Sequence, residues 1–308
     1  MSRIADVLPK IRGEYRFNFP LNKSNWFNVG GPAEVLFKPA DEEDLVHFFR
    51  NIELDHDPLE PQITVLGVGS NVIIRDNGID GVVIKLGRSF TNIKREGNTV
   101  SVGASCLNHN FAHFCADNGL AGMEFIIGIP GSIGGGVAMN AGAYGSEFQD
   151  HFKHVKAVDY DGNIHIIKKE DMGFKYRGHD LAIKRNLVFI EATFELFQDD
   201  PEAIRARMNE IIRKREETQP VREKTGGSTF RNPESAHISA WKLIDEAGFR
   251  GFKMGGASIS EKHCNFMIND GTATAADLEA LGNYVQKKIC LSTGIFLEWE
   301  IKRIGRKY

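Results

Sequence analysis

The sequence predicts an α+β protein, on three observations. Helical and strand patterns alternate through the first half with glycine at the turns, hairpin-type alternation takes over from Lys156, and a helix-rich segment opens at Pro201. At 308 residues the chain can bury a large core, and its length suggests two or three domains.

The elements follow in order. DEEDLVHFFRNIE from Asp41 places Leu45, Phe48, Phe49 and Ile52 on one helical stripe, with acids in the first turn where they favour the helix dipole. ITVLG at Ile63, VVIKL at Val82 and TVSVGA at Thr99 read as strands, with GVGSN between the first two. VKAVDYDGNIHII forms two alternating runs about Asp161-Gly162, a hairpin signal, and NLVFIEATFELF from Asn186 is a further strand. The helix from Pro201 carries Ile204, Met208, Ile211 and Ile212 at spacings of three and four. WKLIDEAG and a segment with Leu278, Leu281, Val285 and Ile289 in register give two more helices. GIFLEWEIKRI is expected to close the chain as a strand, with Ile295, Leu297, Trp299 and Ile301 on one face and Phe296, Glu298, Glu300 and Lys302 on the other.

Composition excludes several classes. The chain is 42% hydrophobic and 26% charged, so it is not a disordered polar chain. Thirty-eight Lys plus Arg against 41 Asp plus Glu leave a formal charge of -3, and no global field favours nucleic acid or an anionic membrane. No apolar run approaches the roughly 18 residues of a membrane span. Cys106, Cys115, Cys264 and Cys290 are scattered without CxxC spacing, which suits reduced thiols in a cytoplasmic protein.

Glycine is the anomaly. There are 32, nine of them from Gly119 to Gly145, against the roughly 7% of average usage. Glycines let consecutive N–H groups converge on an anion without Cβ interference, and LGVGSN at Leu66 is a second such segment, so the pair suggests a diphosphate ligand. The alternative is close packing of backbone between strands. There is no GxxxxGK[ST], and Gly67-Val68-Gly69 lacks the third glycine and the following helix of a dinucleotide fingerprint.

WFNVGGPAEVLF, LGVGSN and GIPGSIGGGVAMNAGAYG, in that order, resemble the FAD-binding domain of the vanillyl-alcohol-oxidase/PCMH-type flavoproteins. Within that group YRGHD at Tyr176, GGSTFRNP at Gly226, GGASISEKHCNFMIN at Gly255 and GIFLEWE at Gly294 resemble the UDP-N-acetylenolpyruvoylglucosamine reductase (MurB) family. The resemblance runs from about Asn25 to Ile301. It implies a PCMH-type FAD-binding fold with a C-terminal α/β substrate-binding domain. The corresponding segments are residues 1–95 and 96–200 as two FAD-binding subdomains, and 201–308 as the substrate domain. The chain lacks the substrate-binding tyrosine loop of the longer form, which places it in the shorter second type, and Tyr176 is not that tyrosine.

The same resemblance implies non-covalent FAD, with Gly67, Gly69, Ser70, Asn71, Gly131, Ser132 and Gly136 as its cradle, and NADPH as co-substrate. The implied reaction reduces an enolpyruvyl ether on a UDP-sugar, with hydride from flavin N5 to the vinyl carbon. The charge that develops next to the carboxylate then calls for a permanent cation, and Arg177 matches that position. Ser228 matches the family's proton donor, and Glu298 its C-terminal carboxylate, as acid or orienter, with Glu300 about 7 Å further along the same face as its competitor. Asn232, Lys262 and Arg215 are the implied substrate contacts, while Thr218 stands where the family often has lysine. A monomer is expected, with the UDP-sugar and NADPH as its partners and neither nucleic acid nor membrane.

Two rivals stay open at this stage: an FAD oxidase of the same fold, and a non-catalytic nucleotide-binding or scaffold protein. Cys106, His109 and His113 fall on one face of the probable helix CLNHNFAHFCADNG, one turn before Asp117, opposite Leu107, Phe111, Phe114 and Cys115. They are read as its solvent face, and no metal is expected. His179, His237 and His263 have no readable partners.

Overall fold

A computed structural model describes residues 3–53, 63–181, 187–233 and 238–307; His237 lies outside them. The chain divides into two units, each assembled from separated pieces of sequence: Met1–Arg16, Val35–Gly67 and Gly81–Lys214, and then Phe17–Glu34, Val68–Asp80 and Arg215–Tyr308.

The first unit is organised by a five-stranded antiparallel sheet in the order Ile164–Lys168, Phe152–Asp159, Leu187–Glu195, Thr99–Gly103, Ile93–Glu96. Its hairpin turns at Asp161-Gly162 as expected. Asp159 holds that turn by accepting from the Asp161 and Asn163 amides at 3.0 and 2.8 Å and from His165 Nε2 at 2.7 Å. Against this sheet lie the helices Asn108–Asp117 and Ile133–Ala138, with Phe111, Phe125, Phe148, Phe152 and Phe194 among the buried rings. A second core in the same unit gathers Phe37, Leu45, Phe48 and Phe49, so the apolar stripe of the helix Glu42–Asn51 is buried as its spacing requires. Asp41 caps that helix by accepting from the Asp44 amide at 3.0 Å. Ile63–Val65 pairs in parallel with the end of Ile79–Ile84.

The second unit packs the helices Ala240–Glu246 and Ala275–Thr293 on a three-stranded antiparallel meander, Lys253–Met254, Ala257–Ile259 and Met267–Asn269. Leu278, Leu281, Val285 and Ile289 are all buried there. Thr274 and Asp277 form a capping box at the start of the longer helix, and Gly294 ends it in the left-handed conformation.

The expected closing strand is not continuous. Only Lys302–Ile304 forms a ladder, parallel to Val72–Ile74, and residues 295–301 carry a single bridge between Phe230 and Trp299. The alternation survives nonetheless. Leu297 and Ile301 are buried and Glu298 is exposed, so burial rather than ladder pairing sets which of these side chains turn inward.

Candidate active site

The LGVGSN segment leaves its backbone donors unanswered. Leu66 N–H donates to the Ile84 carbonyl at 2.9 Å, and then the N–H groups of Gly67, Val68, Gly69, Ser70 and Asn71 meet no acceptor among the described residues. Buried amides are almost always paired, yet Gly69 is buried. Its φ of +69° and the Ser24 carbonyl oxygen only 2.3 Å from where a Cβ would stand restrict the position to glycine. Five successive amides without a protein acceptor are the kind of donor set that takes an anion.

The second glycine segment is divided between packing and donation. Gly134 lies against Ala104, and a Cβ on Gly136 would stand 2.2 Å from the Phe148 ring. The Ile133, Gly134 and Gly136 amides go to the Cys106, Ala104 and Ser132 carbonyls, whereas those of Gly131, Ser132 and Gly135 find no acceptor among the described residues. Gly136 therefore contributes through packing, and Gly135, which sequence reasoning passed over, is the exposed donor of the triple glycine. Within the first unit, Ser132 Oγ is 3.1 Å from the position a Gly67 Cβ would take.

Arg177 also belongs to the first unit. It occupies the tight turn of the hairpin Phe174–Lys175 and Gly178–His179 with φ +56°, a left-handed conformation rare for a long side chain. Its guanidinium donates to the Gly142 carbonyl at 2.8 Å and lies over the Tyr176 ring at 4.7 Å. Gly142 starts a second hairpin, Gly142–Ala143 with Ser146–Glu147, whose turn residue Tyr144 is left-handed too. Sequence reasoning missed Asn140, fully buried at φ +39° between these two hairpins; an asparagine is the side chain most at ease there.

Ser228 and Glu298 belong to the second unit, on segments that it brings together. Gly226 makes room for the Phe27 ring, and Asn265 then braces the next residues, accepting from the Phe230 amide at 3.0 Å and donating to its carbonyl at 2.8 Å. Arg231 N–H donates to the Glu298 carbonyl at 2.8 Å and Glu300 N–H to the Thr229 carbonyl at 2.8 Å. Trp299 anchors the Glu298 segment by filling the notch left at Gly282, with the Phe230 ring 5.3 Å away. The Glu298 side chain is 68% exposed, and its carboxylate lies 3.8 Å from the Arg231 guanidinium. Charges gather at this corner: partial desolvation, then the Arg231 charge, lower the Lys302 pKa against the opposing pull of Glu300. Asn232 accepts from the Ala240 amide at 3.0 Å, which holds the start of the helix Ala240–Glu246.

The second unit also contains a cavity of about 640 Å³ with Arg222, Lys253 and Lys262 in its wall. That volume is in the range of small-ligand sites. Lys262 Nζ donates to the Glu216 carbonyl. Arg215 donates to Gln219 Oε1 at 3.2 Å, and Gln219 lines the cavity where Arg215 does not.

Two model families match the chain: UDP-N-acetylenolpyruvoylglucosamine reductase, C-terminal domain, over residues 219–304, and FAD binding domain, over residues 33–168. The UDP-N-acetylenolpyruvoylglucosamine reductase of Rickettsia rickettsii (strain Sheila Smith) is 54% identical over 97% of this chain and 99% of its own. That of Rickettsia conorii is 53% identical over the same shares. The chain belongs to the UDP-N-acetylenolpyruvoylglucosamine reductase family. The crystal structure of UDP-N-acetylenolpyruvylglucosamine reductase (MurB) from Thermus caldophilus superposes with a TM-score of 0.79 at 33% identity, covering 96% of this chain and 99% of that one.

Membership makes the chain an FAD-dependent oxidoreductase with the PCMH-type fold expected, and its residues fit the cofactor. A diphosphate needs neutral donors more than bulk positive charge, and the amides of residues 67–71, without an acceptor among the described residues, offer such donors in a chain of formal charge -3.

The helix Asn108–Asp117 corrects one grouping. Cys106 precedes the helix and is buried, with Sγ donating to the Leu107 carbonyl, while Leu107 is exposed rather than part of the apolar stripe. His109 and His113 stay on the solvent side, their Nε2 atoms 3.2 Å apart. Among the described residues no group of three or more His, Cys, Asp or Glu could hold a metal, and no helix is long and apolar enough to cross a membrane.

Proposed function

We propose that the protein reduces UDP-N-acetylglucosamine enolpyruvate to UDP-N-acetylmuramate with NADPH, in the synthesis of peptidoglycan precursors. The observation that carries this is likeness over nearly the whole length to enzymes of that name, at 54% identity over 97% of the chain. FAD, when bound, supplies the hydride that reaches the vinyl carbon of the substrate. The amides of Gly67, Gly69, Ser70, Asn71, Gly131 and Ser132, with that of Gly135, hold its diphosphate, and Gly136 shapes the cradle from behind.

The chain's own residues manage charge and proton. Arg177 grips the substrate carboxylate with a planar, permanently charged group and stabilises the negative charge that hydride addition places beside it. Ser228 gives its hydroxyl proton to the carbon next to the carboxylate, a transfer made favourable by the basicity of the enolate-like centre. Glu298 acts at the same step, and Glu298→Gln separates its two possible roles, since the amide orients but cannot supply a proton. Lys262, in the wall of the second unit's cavity, holds the UDP portion, with Asn232 and Arg215 as further substrate contacts outside that wall. On this reading residues 1–95 and 96–200 bind FAD, 201–308 bind the sugar nucleotide, and the enzyme works as a cytoplasmic monomer with its four cysteines free.

An anaerobic spectrum tests the reaction. NADPH should bleach the flavin band, the protein should stay reduced, and the enolpyruvyl sugar should restore the colour. Rapid recovery in air with no response to the sugar would instead identify an FAD oxidase. Colourless protein after gentle purification would exclude both enzyme readings.

A further inference from the structure

Asn140 is fully buried and held at φ +39°, and its side chain makes two directed contacts. Nδ2 donates to the Lys175 carbonyl at 3.1 Å, and Oδ1 accepts from the Gln149 amide at 3.0 Å. Lys175 is the last residue before the Tyr176-Arg177 turn, so the first bond fixes the entry to that turn. The second fixes the start of the helix Phe148–His151, which the neighbouring Ala141 also holds through the Phe148 amide at 3.0 Å. Two residues after Asn140, the Gly142 carbonyl takes the Arg177 guanidinium at 2.8 Å. A Cβ at Gly142 would stand 3.1 Å from Arg177 Nη1. Segment 140–142 therefore grips the Arg177 hairpin twice: the Asn140 side chain holds the Lys175 carbonyl, and the Gly142 carbonyl holds the Arg177 guanidinium.

A left-handed arginine is strained and persists only where its surroundings over-determine it. We propose that Asn140 is the positioning residue for Arg177: by holding the Lys175 carbonyl it fixes the strained turn and thereby the place of the guanidinium. This rests on the reading of Arg177 as the group that binds the substrate carboxylate. Asparagine suits the task because it is at once the side chain most tolerant of positive φ and a donor and acceptor on one planar amide.

The test uses the FAD-loaded enzyme and measures the two half-reactions separately. Asn140→Ala should leave flavin bleaching by NADPH within a few-fold of wild type and slow reoxidation by UDP-N-acetylglucosamine enolpyruvate about a hundredfold, the scale of an ångström-level misplacement. In an Arg177→Ala background the same substitution should add almost nothing, because both act through one guanidinium. Asn140→Asp keeps the acceptor for Gln149 but presents oxygen to the Lys175 carbonyl, so it should behave like the alanine variant. Equal slowing of both half-reactions, full additivity with Arg177→Ala, or loss of bound FAD in both Asn140 variants would overturn the proposal in favour of a purely structural asparagine. Normal sugar reduction by Arg177→Ala alone would instead remove the underlying reading of Arg177.

Discussion

The guanidinium of Arg177 donates to the carbonyl of Gly142 at 2.8 Å, so a cation in one strained hairpin is held by the backbone of another. On the proposed reading of Arg177, that fixation would make the charge ready before substrate arrives, which is how preorganised electrostatics lowers a barrier. Arg177→Lys keeps the charge and loses the planar fork. Turnover of the enolpyruvyl sugar is expected to fall by about 10²- to 10³-fold, with flavin bleaching by NADPH unchanged in stopped-flow absorbance.

On the proposed reading Ser228 serves the same half-reaction. Ser228→Ala should bleach normally with NADPH and then reoxidise slowly with the sugar, by about a hundredfold or more. A proton inventory in deuterated solvent adds a second readout. The solvent isotope effect on reoxidation should change in Ser228→Ala, whereas a turn serine would leave it alone.

Lys262 tests the cavity. Its truncation to alanine should raise the KM for the UDP-sugar about tenfold to a hundredfold, the value of a hydrogen bond from a charged group, while kcat at saturating sugar and the NADPH step stay close to wild type. A fall in kcat alone would place Lys262 elsewhere in the reaction.

Gly136 and Gly69 separate packing from cofactor binding. Gly136→Ala forces a methyl into the Phe148 ring and is expected to cost about 1–3 kcal/mol in denaturant unfolding, partly recovered when Phe148 is also shortened to leucine. Gly69→Ala strains a left-handed residue beside the Ser24 carbonyl, and its first consequence should be loss of bound FAD, read from the ratio of absorbance at the flavin and protein bands.

Asp159 sets an acid limit. Burial works to raise its pKa, but hydrogen bonds from His165, Asn163 and Asp161 together prevail and bring it down to about 2. A carboxylate depressed in the folded state contributes its stability above its unfolded pKa of about 3.9 and loses it as pH falls toward 2, so about 2 kcal/mol should disappear across that interval. In Asp159→Asn the decline of stability over pH 4 to 2 should be shallower than in wild type, measured by urea unfolding at each pH.

Much of this was legible in the sequence where the signal is local. The Asp161-Gly162 hairpin, the stripe of Leu45, Phe48 and Phe49, and the register of Leu278, Leu281, Val285 and Ile289 each follow from residues a few positions apart. The order of motifs from WFNVGG to GIFLEWE carried the family resemblance, and the relatives bear it out. Less legible was the closing segment, whose alternation suggested a strand although its ladder bonds form only over Lys302–Ile304. An alternating apolar pattern reports burial on one side and says nothing about whether a partner strand lies alongside.

The amino-acid sequence by itself determined that glycine-rich backbone would gather in two segments and that Arg177, Ser228 and Glu298 are the residues to question. Tertiary structure alone decided which glycine does what. Gly136 yields to the ring of Phe148, Gly69 to the carbonyl of Ser24, and the amides of residues 67–71 are left without an acceptor among the described residues. It alone revealed Asn140 beneath the Arg177 hairpin, through a bond to Lys175 across 35 residues of chain. The physical reason is the same in each case: a missing Cβ or a buried amide acquires its meaning from the atom placed against it, and folding brings that atom from a distant part of the chain.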